Sequence, residues 1–120
     1  AAAQAWLAVT GGQDLAAQAY LSGGAPFTAR VDSADGWYEK GVGETSSQRH
    51  AEAAIAYRVA LSRNEGMVNA WNNLGWSLLS LGFLDEAEPA FERALTLDPD
   101  FELARNNLAE TRARNARAAP

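Results

Sequence analysis

Reactive side chains are few in this chain, and their spacing does not converge. His50 is the single histidine and there is no cysteine. A histidine-based nucleophilic triad or a two-histidine metal site cannot be assembled within one chain, and disulfides and thiolate metal sites are excluded. Carboxylates cluster at Asp85, Glu86 and Glu88, a pairing that serves general acid–base chemistry when burial raises one pKa. Here they stand at the expected start of a helix, where acidic groups favour the positive end of its dipole. His50 is expected to face solvent, also at a helix start. Gly41-Val42-Gly43 has the glycines of a nucleotide loop without the strand-to-helix context that such a loop needs. The expectation is a chain that is not an enzyme and that holds no cofactor and no metal.

The chemistry that remains is recognition by carboxamides. Asn72-Asn73 recurs as Asn106-Asn107. Asparagine is a mediocre helix former, so its repetition calls for a reason. Its amide offers both a donor and an acceptor, which matches a peptide backbone. Asn69, Asn72, Asn73, Trp76 and Ser80 form a polar-aromatic stripe on one expected helix, with Leu79 on its border. A tryptophan off the packing stripe is a candidate anchor for a partner; the alternative is that Trp76 packs under Tyr38 or Val42. Tyr38, Asn69, Asn72, Asn73, Trp76, Ser80, Asn106 and Asn107 are the candidate partner-binding residues.

The elements that must position these groups are legible from spacing. Trp71, Leu74, Gly75 and Leu78 fall on one face of a helix expected over 67–81. Gly82 marks its stop. Ala87, Phe91, Ala94 and Leu95 repeat the helical spacing over 84–97, and Pro99 closes the unit. A shift of 34 residues pairs Trp37 with Trp71, Gly41 with Gly75, Tyr57 with Phe91, and Ala60-Leu61 with Ala94-Leu95. The same shift carries Ala70, Asn72, Asn73 and Leu74 onto Ala104, Asn106, Asn107 and Leu108. A plain helical bundle needs no such self-similarity.

Tryptophan, leucine-glycine, alanine, a spaced aromatic, alanine-leucine and proline in this order resemble the tetratricopeptide repeat, with Leu78 where the family usually has tyrosine. The resemblance implies an all-α fold: a short tetratricopeptide-repeat solenoid of antiparallel helix pairs with a C-terminal capping helix. It implies a protein–protein interaction module whose concave groove holds a peptide or helix of a partner. In members of the family, asparagines at the place of Asn73 and Asn107 form a ladder that holds extended peptides. The alternative is that they follow the repeat pattern and bond a neighbouring helix. A different subfamily clamps the carboxylate tail of chaperones. Tyr38, Val42, Leu103 and Asn107 stand at its clamp places and only Asn73 fits, which argues against that ligand.

The organisation expected is a single domain over 1–120. Residues 1–32 read as a degenerate helix pair, in which Gly11, Ala16 and Tyr20 keep the spacing of Gly82, Ala87 and Phe91. Residues 33–64 read as a worn repeat. Lys40 and Glu44 replace Leu74 and Leu78 there, and Gly41 and Gly43 each weaken a helix by about 1 kcal/mol. Its first helix is expected to be short, from 33 to 42, with a loop through 45–47 and a second helix over 49–61. Alternatively, Lys40 and Glu44 are exposed by unusual packing of the neighbouring hairpin. Residues 67–98 read as the regular repeat, and Trp71 is expected to be a firmer anchor than Trp37. Residues 99–117 read as the capping helix, with Asp98 as its N-cap and Pro99 at its first position.

Composition sets the outer limits. The 120 residues carry a formal charge of −5, a poor match for nucleic acid. No apolar run approaches the roughly 20 residues of a membrane span, so no direct membrane insertion is expected. Arg105, Arg112, Arg114 and Arg117 gather on the last helix, where cations suit the negative end of the dipole. The chain opens on Ala1-Ala2-Ala3 without methionine or a charged-then-apolar leader, the start expected of a fragment or a processed form. The expected partner is a protein or peptide. The alternatives are a structural or docking segment of a larger multidomain protein, enzyme or membrane protein, and self-association through exposed array ends.

Overall fold

The computed structural model describes residues 33–118, and the helix pair expected over 1–32 lies outside them. Five helices are described: α1 (Ala34–Ser46), α2 (His50–Arg63), α3 (Val68–Leu81), α4 (Leu84–Leu97) and α5 (Glu102–Ala118). Among the described residues there is no strand, and the fold is an all-α helical repeat. The chain divides into two units between Glu65 and Gly66. In the first unit α1 packs on α2; in the second α3 packs on α4, and α5 covers both.

Within each unit the helix pair is closed by a glycine under an aromatic ring. A Cβ added to Gly41 would lie 2.5 Å from Tyr57 Cε1, and one added to Gly75 would lie 2.6 Å from Phe91 Cε1. Tyr57 and Phe91 are both fully buried, each burial being worth on the order of 1.5–3 kcal/mol. Helical glycine is intrinsically costly; here it is the condition for the close approach of α1 to α2 and of α3 to α4.

The first helix is longer than its sequence predicts. It runs to Ser46, not to Val42, and the reason is the way it ends. Helix α3 stops with Gly82 in the left-handed region at φ 86. There the Gly82 N–H donates to Leu79 O at 3.0 Å and the Phe83 N–H to Leu78 O at 2.9 Å, the bond pattern of a Schellman turn. Helix α1 ends the same way 34 residues earlier. Gln48 takes the left-handed place at φ 60, with Gln48 N donating to Thr45 O and Arg49 N to Glu44 O, both at 2.9 Å. That turn normally brings apolar side chains together at the places of Leu78 and Phe83. In α1 those places hold Glu44 and Arg49, which form a two-pronged ion pair at 2.6 and 3.1 Å. Glu44 is accordingly buried, 5% exposed, and Lys40 is half-buried, so the alternative in which both are exposed does not hold. Thr45 Oγ1 adds a bond to Gly41 O at 2.9 Å and pairs with the Tyr57 hydroxyl at 2.8 Å.

Three further expectations are corrected. Trp37 is the deeper anchor at 1% exposure, whereas Trp71 is only half-buried. His50 does start α2, yet it is half-buried with Nδ1 shielded from solvent. Asp98 does not cap α5. Its carboxylate accepts from Asp100 N at 3.1 Å and its carbonyl from Phe101 N at 3.1 Å, a turn that delays the helix to Glu102. Pro99 therefore lies ahead of α5, and its carbonyl accepts from Arg105 Nη2. Pro89 sits inside α4 without breaking it.

Candidate functional site

Helix α3 has no charged side chain along its length and packs against α4 and α5. Its buried face is set by Leu74, Gly75 and Leu78, the residues whose spacing matches the aromatic of α4. That choice rotates Asn69, Asn73, Trp76 and Ser80 to the other side, successive steps of one helical stripe. Asn69 and Ser80 are exposed and Asn73 is half-buried. Trp76 is 41% exposed, although an indole carries a large apolar surface.

Asn72 is different from its neighbour. It is 3% exposed, and its Oδ1 accepts from Asn107 Nδ2 at 3.1 Å across the α3–α5 contact. Asn72 thus faces the interior of the unit, not a partner. Asn107 is half-buried, and Asn106 is exposed on α5. Beneath each of the two equivalent asparagines sits a hydroxyl. Ser77 Oγ donates to Asn73 O at 3.1 Å, and Thr111 Oγ1 donates to Asn107 O at 2.7 Å. Both hydroxyl residues are fully buried. These bonds satisfy polar groups inside the packed face and hold the two asparagines in equivalent settings.

Tyr38 belongs to the first unit. It is half-buried, with its ring centroid 5.9 Å from that of Tyr57 and the two planes tilted by 49°. Sequence reasoning named Leu103 only as an unmatched clamp position and not as a candidate contact; at 55% it is the most exposed of the large apolar side chains on α5. The 34-residue shift carries the outward Asn69 onto Leu103, so the signal was present in the repeat register.

The α5 face carries charge, but paired charge. Glu110 accepts from Arg114 Nε at 2.7 Å, with Arg117 3.7 Å away. The bond from Arg114 holds the Glu110 carboxyl below its ordinary value. Away from this face, Arg112 bridges Glu88 at 3.3 Å and Glu92 at 2.9 Å, and Asn115 Nδ2 donates to Asp85 at 3.1 Å. The carboxylates at the start of α4 thereby fasten α5 as well as meeting the helix dipole. In the first unit, burial lowers the Arg58 guanidinium from its ordinary value. Among the described residues no three histidine, cysteine or carboxylate side chains are grouped to hold a metal. No helix among them is long and apolar enough to cross a membrane.

Comparison with protein families matches residues 68–101 to the Tetratricopeptide repeat. The matched span covers α3, α4 and the turn before α5. Repeats of this family generally mediate protein–protein interactions and are generally not enzymes. No curated protein matches the chain.

Proposed function

We propose that this tetratricopeptide-repeat chain is a docking module in which the outward stripe of α3 and the adjoining face of α5 form a groove for an extended peptide of a protein partner. The observation that carries this reading is Trp76. An indole left 41% exposed on an uncharged helix, between Asn73 and Ser80, offers apolar surface beside hydrogen-bonding groups. Aromatic anchors of this kind dominate binding energies at protein interfaces. Asn73, Asn106 and Asn107 supply donors and acceptors suited to a peptide backbone, and Leu103 supplies a second apolar contact. Such a groove reads backbone more than side chains, so the preference for sequence in the ligand is loose. The net charge of −5 favours a protein over nucleic acid as the ligand.

The test is selection of random dodecapeptides displayed on phage against the whole chain, followed by titration of a selected peptide. Trp76→Ala is expected to weaken binding by roughly thirtyfold, the equivalent of about 2 kcal/mol. Its melting midpoint should stay near that of the wild type. Selected peptides that bind Trp76→Ala and Asn73→Ala unchanged would favour the alternative, a structural segment docked within a larger protein. Failure to select any peptide, with a concentration-dependent dimer in sedimentation, would favour self-association.

A further inference from the structure

Two adjacent asparagines recur in the repeat, and they have separated roles. Asn72 is buried at 3% exposure, where a leucine or alanine would pack without any polar requirement. An amide taken out of water is costly unless it is bonded, and the bond it makes is to Asn107 Nδ2, 35 residues away. That bond uses one of the two Nδ2 protons of Asn107 and sets which way its amide faces. The Asn107 backbone is fixed as well, through its carbonyl and the buried Thr111 hydroxyl. Among the described residues, nothing donates to Asn107 Oδ1.

From this geometry we infer that Asn72 is a positioning residue for the groove: it holds the Asn107 amide with Nδ2 turned inward, so that Oδ1 is presented as a preset acceptor for a backbone N–H of the bound peptide. The inference rests on the groove reading given above. It adds a polarity to the site, because the peptide must offer a donor opposite Asn107. It also explains why an asparagine is kept at a buried place. A preset amide does not lose rotamer freedom when the ligand arrives, which favours binding without any new contact.

The experiment uses the whole chain, a phage-selected dodecapeptide and the side-chain amide resonances of Asn107 and Asn106. In the wild type, the Asn107 Nδ2 protons should exchange with water roughly tenfold more slowly than those of the exposed Asn106, as a single hydrogen bond provides. Asn72→Ala should bring the two rates together and weaken the peptide by about three- to tenfold. Asn72→Asp keeps the acceptor and should retain the slow exchange and most of the affinity. Asn107→Ala separates the two claims. If it leaves affinity unchanged while Trp76→Ala still weakens the peptide, the groove stands and the role given to Asn107 and Asn72 is overturned; if neither variant changes affinity, the groove reading itself fails. If Asn107→Ala weakens binding while Asn72→Ala does not, the groove stands and the positioning role is overturned. Equal exchange at Asn106 and Asn107 in the wild type also overturns it, as does an Asn72→Asp chain that remains folded but loses the slow exchange. Should Asn72→Ala fail to fold, the wild-type and Asn72→Asp exchange rates decide.

Discussion

Gly75 lies so close beneath the Phe91 ring that an added methyl group would stand 2.6 Å from its edge. Gly41 and Tyr57 repeat the relationship. Gly43, two residues on, has nothing within 4 Å of a built Cβ. The same substitution should therefore act with opposite signs along α1 and α3. Gly75→Ala should destabilise by about 1–3 kcal/mol through overpacking, partly offset by better helix propensity. Gly43→Ala should stabilise by roughly 0.5–1 kcal/mol. Urea titrations of the two variants check both signs.

The turn after α1 gives a second pair of expectations. Gln48 occupies a left-handed position with a full side chain, at a cost of about 1–2 kcal/mol. Gln48→Gly, the residue found in the equivalent turn at Gly82, should raise stability by roughly 0.5–1 kcal/mol. Glu44→Leu combined with Arg49→Phe would install the apolar pair of the second repeat. Replacing a buried ion pair by apolar residues is often neutral or stabilising, so the double variant should melt no lower than the wild type. Arg49→Ala alone leaves Glu44 buried without this partner and should melt lower.

Tyr57 and Phe91 fill the same seat in the two units, yet only Tyr57 has a hydroxyl to satisfy. Thr45 meets it at 2.8 Å, whereas the equivalent position near Phe91 is Leu79. Tyr57→Phe should cost about 0.5–1.5 kcal/mol. Phe91→Tyr should cost more, on the order of 2 kcal/mol, because its hydroxyl has no counterpart of Thr45. A double-mutant cycle of Tyr57→Phe with Thr45→Val should recover most of the smaller effect as coupling.

The three tryptophans among the described residues rank by burial. Trp37→Ala should cost about 3–5 kcal/mol, as loss of a buried aromatic does. Trp71→Ala should cost less, and Trp76→Ala least. Thermal midpoints of the three variants give the order directly.

Glu110 offers a titration. Its carboxyl is held low by the Arg114 bond, with further help from Arg114 and Arg117 charge. A carboxylate whose folded pKa is depressed adds stability that is present above its unfolded pKa and lost as pH falls through the folded value. The group is exposed, so that contribution is screened. Arg114→Ala should move the Glu110 carboxyl resonance to a higher midpoint in an acid titration, with little change in the melting curve near neutral pH.

The second repeat was legible because its signals are local. Gly82, Trp71 and the alanine-aromatic spacing of α4 each act within one or two turns, and the limits of α4 fall where that spacing puts them. The end of α1 was not legible for the opposite reason. No glycine marks its turn, and the carboxylate of Glu44 looks exposed until Arg49 folds back on it. The separation of Asn72 from Asn73 was hidden too. Two identical residues in sequence differ only in which one meets α5, and that is decided 35 residues away. Trp76 could be read as off the packing stripe, while its exposure needed the packed helices.

Helix α5 changes its means of attachment along its length. Ala104, Leu108 and Thr111 are buried, and no residue from 112 to 118 is. Beyond Thr111 the helix is tied to α4 by Arg112 and Asn115. Exposed ion pairs fade as salt screens them, whereas apolar contacts do not. Amide hydrogens in the last turns of α5 are thus set to exchange faster as ionic strength rises, while those of α3 keep their protection. The second unit thereby has a firm end and an end that ions loosen, and the solution around it tunes how much of α5 stays wound.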